Sequence, residues 1–135
     1  MAKLWDKGYE LDAQIESFTV GRDYLFDRYL VAADAVASIA HARMLARIGV
    51  LTADESLALT AELRSIAQEG ADGSFEVRRE QEDCHTALEE RLTASLGDLG
   101  KKIHTGRSRN DQGLAATRLY AREGLALLQT LLYDT

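Results

Sequence analysis

A chain of 135 residues, 46% hydrophobic and 28% charged, is long enough for one globular domain with a substantial core. Its formal charge of −6 argues against general affinity for nucleic acid, and its single cysteine, Cys84, excludes an internal disulfide. No apolar run reaches transmembrane length and MAKLWDKGYE has no signal-peptide core, so a cytoplasmic protein with no membrane partner is expected.

The absence of proline favours helices joined by glycine turns, and the reading throughout is all-α. Residues 1–20 show no sustained periodicity; Trp5 and Phe18 are expected to tuck this arm against a neighbour. From Leu25 the spacing is helical: Leu25, Tyr29, Ala33, Val36, Ala40 and Met44 recur at three and four, widened by Ile39 and Ile48, with Gly49 as the stop. Asp34 reads as the cap of an internal restart. Thr52 and Glu55 form a capping box for a second helix, which the short connection sets antiparallel to the first and which Gly70 and Gly73 end. Around Phe75 a short extended stretch is expected.

Cys84, Leu88, Leu92 and Leu96 make an unbroken row at i+4 in a third helix stopped by Gly97, which places Cys84 in the core rather than among nucleophiles. Glu82, His85 and Glu89 lie on an adjacent strip, and the flanking acids favour a protonated His85. His41, His85 and His104 have no short ligand spacing, so no metal site is expected.

The stretch KKIHTGRSRNDQ, residues 101–112, concentrates cations, a hydroxyl and a carboxamide at a helix start. Ser108 and Asp111 have capping-box spacing, so the orphan N–H groups of the next helix face this loop. Arg107 and Arg109 then stand at the positive end of a helix dipole, an arrangement that an anionic guest would favour. The same residues also fit a capped helix with two solvated arginines. From Asn110 to Thr135 the pattern is one helix, amphipathic early and apolar on most faces late (LALLQTLLY), which implies company outside these residues.

Three blocks carry a resemblance: KLWDKG at 3–8, EDCHTALEERL at 82–92, and GKKIHTGRSRNDQ at 100–112. With them the chain resembles the argininosuccinate lyases of the fumarase/aspartase superfamily along essentially its whole length. The resemblance implies a helical domain over 1–109 and the truncated start of a central helix bundle over 110–135. It implies cofactor-free elimination, splitting argininosuccinate into arginine and fumarate, in a homo-oligomer that is tetrameric in the complete family protein. It carries substrate binding onto His85, Ser108, Arg109 and Asn110, an orienting role onto Asp83, and loop-shaping onto Thr105 and Asp111. Where the family has a substrate-touching serine ahead of the first helix, this sequence has Gly21-Arg22-Asp23, and no site is transferred there. The family's catalytic serine and histidine lie in SSxMPQKxNP-like and THxQ-like blocks, neither of which occurs here. No catalytic residue is therefore expected in this chain, which reads as an inactive N-terminal piece. Two other readings stay open: a non-catalytic helical module of the same fold, and a sibling lyase acting on a compound such as adenylosuccinate.

Overall fold

A computed structural model of the chain describes Phe18 and residues 21–133. All its regular structure is helical, with no strand among the described residues: α1 Asp23–Asp27, α2 Val31–Arg47, α3 Ala53–Asp72, a 3-10 turn Arg79–Gln81, α4 Cys84–Leu96, α5 Asp98–Lys101, a second 3-10 turn Lys102–His104, and α6 Arg109–Tyr133. The KLWDKG block and Trp5 lie outside the described residues. Phe18 is 88% exposed.

Local chemistry sets most boundaries. Thr52 accepts from the Glu55 N–H at 3.2 Å while the Glu55 carboxylate accepts from the Thr52 N–H at 2.9 Å, the reciprocal pairing that starts α3. Asp83 starts α4 by accepting from the Thr86 N–H at 2.7 Å. Glu82, just before it, is held at φ 69, a left-handed conformation that costs a non-glycine residue about 1–2 kcal/mol. α2 and α3 run antiparallel: the Ser56 hydroxyl meets the Ala42 carbonyl near one end, and Gly70 meets Val31 and Ala32 near the other.

Gly70 does not end α3, as its sequence suggests; the helix continues to Asp72 and stops at Gly73. Gly70 serves close approach instead, because a Cβ there would stand 2.8 Å from the Ala32 backbone nitrogen. Gly100 does the same more severely against the Leu92 backbone, with atoms 2.4 and 2.5 Å from a Cβ's place.

The core runs through Val31, Ala35, Ala42 and Leu45 of α2, Leu59, Leu63 and Ile66 of α3, Cys84, Leu88 and Leu92 of α4, and Ile103. Each large aliphatic chain so buried stabilises the fold by about 1.5–3 kcal/mol. The α4 row sits where its spacing put it. The α2 stripe does so only in part: Ala33 is buried and Ile39 packs against the core, but Leu25, Tyr29, Val36 and Met44 are exposed, and the main buried line is Val31, Ala35, Ser38 and Ala42. Asp34 is no cap either. The restart falls at Val31, which leaves Asp34 one turn inside α2 and completely buried.

Candidate functional site

A carboxylate sealed inside a helical core requires partners, because the solvation it loses exceeds what isolated charges recover. Asp34 has them from three directions. The Gln112 amide donates to both its oxygens, at 2.9 and 2.8 Å, the Ser38 hydroxyl donates at 3.4 Å, and Nδ1 of His85 stands at 2.7 Å. Gln112 is 1% exposed and His85 8%. The network thus ties α2, α4 and the start of α6 together.

Burial pulls the His85 pKa down, but the hydrogen bond to Asp34 and the negative charges of Asp34, Asp83 and Asp27 together outweigh it. The imidazole's pKa is raised above its ordinary value, the expected direction, but by these aspartates rather than by Glu82 and Glu89 of its own strip. Burial, reinforced by Asp34 and Asp27, pushes the neighbouring Cys84 thiol far above its ordinary range. A buried thiol so hard to ionise is core packing rather than a nucleophile. Asp34, Cys84 and His85 bring three potential metal-ligand atoms within 4.8 Å of one another. Their donors are already engaged in hydrogen bonds, Asp34 to His85 and the Cys84 sulfur to His85 Nδ1 at 3.6 Å, so the group reads as a hydrogen-bonded cluster.

The loop into α6 starts as its sequence dictates. Ser108 accepts from the Asp111 N–H at 3.2 Å, and the Asp111 carboxylate accepts from the Ser108 N–H at 3.0 Å and from its hydroxyl at 2.9 Å. Ser108 and Asn110 are exposed at the mouth of the helix, and the Asn110 carboxamide makes no hydrogen bond among the described residues. The loop is fastened to α2 by His41, whose Nε2–H donates to the Thr105 carbonyl at 3.0 Å, and to α4 by the His104–Glu89 pair at 3.0 Å.

The cations are less available than their density suggests. Arg109 turns back on the start of α4, where its guanidinium grips the Asp83 carboxylate and donates to the Thr86 hydroxyl at 2.9 Å. Lys101 pairs with Asp98 and Lys102 with Glu55. Arg107, half-buried, donates from one terminal nitrogen to Ser38 at 3.1 Å, while its Nε and Nη2 are buried without a protein partner among the described residues. Asp83 is engaged by Thr86 and Arg109; the residue that orients His85 is Asp34.

Of the four predicted site residues, the structure sets His85 against the first turns of the helix that carries Arg109 and Asn110. Nε2 of His85 lies 3.4 Å from where a Cβ of Gly113 would stand. Arg109 and Asn110 are four and three residues before Gly113, so helical geometry sets them on its face one turn nearer the mouth. Ser108 stands at the cap with its hydroxyl committed to Asp111. Sequence reasoning missed Asp34, Ser38 and Gln112; a charged residue within an alanine-rich helix was the available signal. A cavity of about 570 Å³ bounded by Phe75, Arg78, Glu90 and Arg91 contains none of the predicted residues. Four of its charges pair internally, Arg91 with Glu69 and Arg78 with Glu90.

Residues 9–133 match a protein family described as Lyase. The chain is 45% identical over 132 residues to an argininosuccinate lyase of Thermotoga neapolitana, covering 98% of this chain and 33% of that protein. It is 49% identical over 132 residues to one of Stenotrophomonas maltophilia (97% and 31%), and 50% identical over 123 residues to one of Sorangium cellulosum (91% and 29%). The chain spans about a third of the length of the curated relatives it matches.

Proposed function

We propose, from the premise that this chain belongs to the lyase family, that it is part of an argininosuccinate lyase. The complete protein would cleave argininosuccinate into arginine and fumarate without a cofactor, as a step of arginine biosynthesis. The observation that carries this is the pairing of two sequence blocks in space. At the start of α4, Nε2 of His85 lies 3.4 Å from where a Cβ of Gly113 would stand, three residues after Asn110 at the start of α6. Relatives at 45–50% identity bear the same activity in their names.

In this reading His85, Ser108, Arg109 and Asn110 line the substrate-binding surface. Their parts differ. His85 and Asn110 face the carboxylates, Arg109 holds the two helix starts in register, and Ser108 shapes the mouth. The elimination removes a proton beside the carbon that bears nitrogen and spreads charge into a carboxylate, so preorganised donors at that carboxylate lower the barrier. The groups that move the proton belong to the serine and histidine blocks that this sequence does not contain. Residues 1–109 form the helical domain and 110–135 open a central bundle. The apolar far end of α6 packs there against further helices in a homotetramer, in the cytoplasm. No helix among the described residues is long and apolar enough to cross a membrane.

Mixing this chain with one supplying the downstream blocks, and following fumarate absorbance, tests the assignment. Activity above either chain alone, lost on Asn110→Ala, is the expected result. Calorimetric binding of fumarate with no activity in any mixture would instead favour a non-catalytic module, and turnover of adenylosuccinate but not argininosuccinate would favour the sibling lyase.

A further inference from the structure

We propose that Asp34 is a positioning residue for substrate binding: bonded to Nδ1 of His85 and clamped by Gln112, it fixes the imidazole so that its Nε2–H is presented beside Gly113 as a donor to a substrate carboxylate. The inference rests on reading His85 as a substrate-binding group, and adds what makes that group competent.

The Asp34 carboxylate has no freedom to follow a ligand. Gln112 donates to both oxygens, Ser38 to one and His85 faces the other, all at zero exposure of the acid. Immobilised in this way, it sets both the plane of the ring and which nitrogen points inward. A histidine serving only to fill the core would have its second nitrogen paired or sealed. Nε2 of His85 instead makes no hydrogen bond among the described residues and faces the first turns of α6 across a position that lacks a side chain.

Proton placement follows from the geometry. A neutral ring donating from Nδ1 to Asp34 would turn a lone pair on Nε2 toward the ligand, and a lone pair repels a carboxylate. The imidazolium turns an N–H toward it. Carboxylate binding at this point therefore requires the second proton, and Asp34 is the group that retains it. The other charged and titratable groups facing the ring are Asp27 from α1 and Asp83 and Cys84 at the start of α4. Arg107, from the loop before α6, acts on Asp34. The two further aspartates favour the cation, while the un-ionised thiol leaves it unchanged.

The test is ¹⁵N NMR of the histidine rings in the full chain, with fumarate titrations across pH, comparing the unsubstituted chain with Asp34→Asn. In the unsubstituted chain both His85 nitrogens are expected to be protonated at neutral pH, and fumarate affinity to fall as pH rises through the His85 midpoint. In Asp34→Asn that midpoint drops, fumarate binds roughly tenfold more weakly at neutral pH, and affinity recovers on acidification as the ring gains its proton. A merely structural role would give a loss that pH does not restore. A folded Asp34→Asn chain with an unmoved His85 midpoint and intact fumarate binding overturns this inference alone. Should that variant fail to fold, the unsubstituted chain still decides: a neutral His85 at pH 7 carrying its hydrogen on Nδ1, with a lone pair on Nε2, overturns the proposal. Absence of fumarate binding in the unsubstituted chain overturns the site reading itself, whatever the rings show.

Discussion

The two halves of α6 invert the usual relation between composition and burial. One face of its polar beginning is pinned: Gln112 is 1% exposed and Ala116 fully buried, and Arg109 is strapped to the start of α4, while Ser108, Asn110 and Asp111 stay exposed. Its apolar end is outside: Leu125, Leu127, Leu128, Leu131 and Leu132 are all more than half exposed, and Tyr133 is 80% exposed. The first half is held by specific partners on other elements. The second owes its helicity to propensity and to continuity with the first. Burial in this chain therefore follows from what lies opposite a residue. Polar groups are admitted to the interior where a specific partner stands opposite, though the Gln112 side-chain oxygen and two nitrogens of Arg107 are buried without one among the described residues.

Removing a partner from the pinned half should have the largest effect. Asp34→Ala strands the His85 cation and the Gln112 amide in a dry interior, at a cost of about 3–5 kcal/mol, read by urea denaturation. A loss below about 1 kcal/mol would mean that the pair carries no charge. Gly100→Ala comes next, since its Cβ would stand 2.4 Å from the Leu92 carbonyl carbon. Backbone has to shift, and a destabilisation of about 1–3 kcal/mol is expected.

The buried pair should also show in the pH dependence of stability. Because the His85 pKa is raised by folding, its contribution is fully present below about pH 6.5 and is lost as pH rises through the folded midpoint. The His41 pKa is lowered, by burial and then Arg107, so its effect falls below that pH. The Cys84 thiol matters only where an unfolded thiol ionises, at about pH 8.5. Between these limits, denaturation midpoints should fall with rising pH in the unsubstituted chain and stay flatter in Asp34→Asn. Equal slopes would remove His85 as the cause.

Smaller effects belong to the open face and the bare half. Gly113→Ala places a methyl at ordinary contact distance from His85 and relieves a glycine inside a helix, so a gain of about 0.5–1 kcal/mol is expected in thermal melts. Leu128→Ser, on the exposed half, should change the stability of the chain by less than about 0.5 kcal/mol. It should nevertheless weaken self-association in sedimentation experiments, where the unsubstituted chain is expected to associate through its apolar end. A stability loss as large as that of a core leucine would show that this half packs within its own chain.

What the sequence disclosed was local. The capping pairs Thr52–Glu55 and Ser108–Asp111, the stops at Gly49 and Gly97, and the Cys84–Leu88–Leu92 row each depend on residues within about a turn of one another, and each stands as expected. What it concealed was distant. Asp34 meets His85 51 residues away and Gln112 78 residues away, so nothing near it in sequence distinguishes a buried acid from a cap. The α2 stripe held only in part for a related reason. That helix carries apolar residues on more than one side, and only the packing of α3 selects the small-residue face. Among the candidate site residues, the sequence placed Ser108 at a helix mouth but carried no sign that Arg109 would spend its charge on Asp83.

The Arg109 grip on Asp83 and Thr86 makes the two helix mouths one mechanical piece. Transplanting either block alone into another helical scaffold would leave a cation or an acid stranded at the seam. A designer borrowing this surface has to move both together, and a lineage adjusting one mouth has to adjust its counterpart in step.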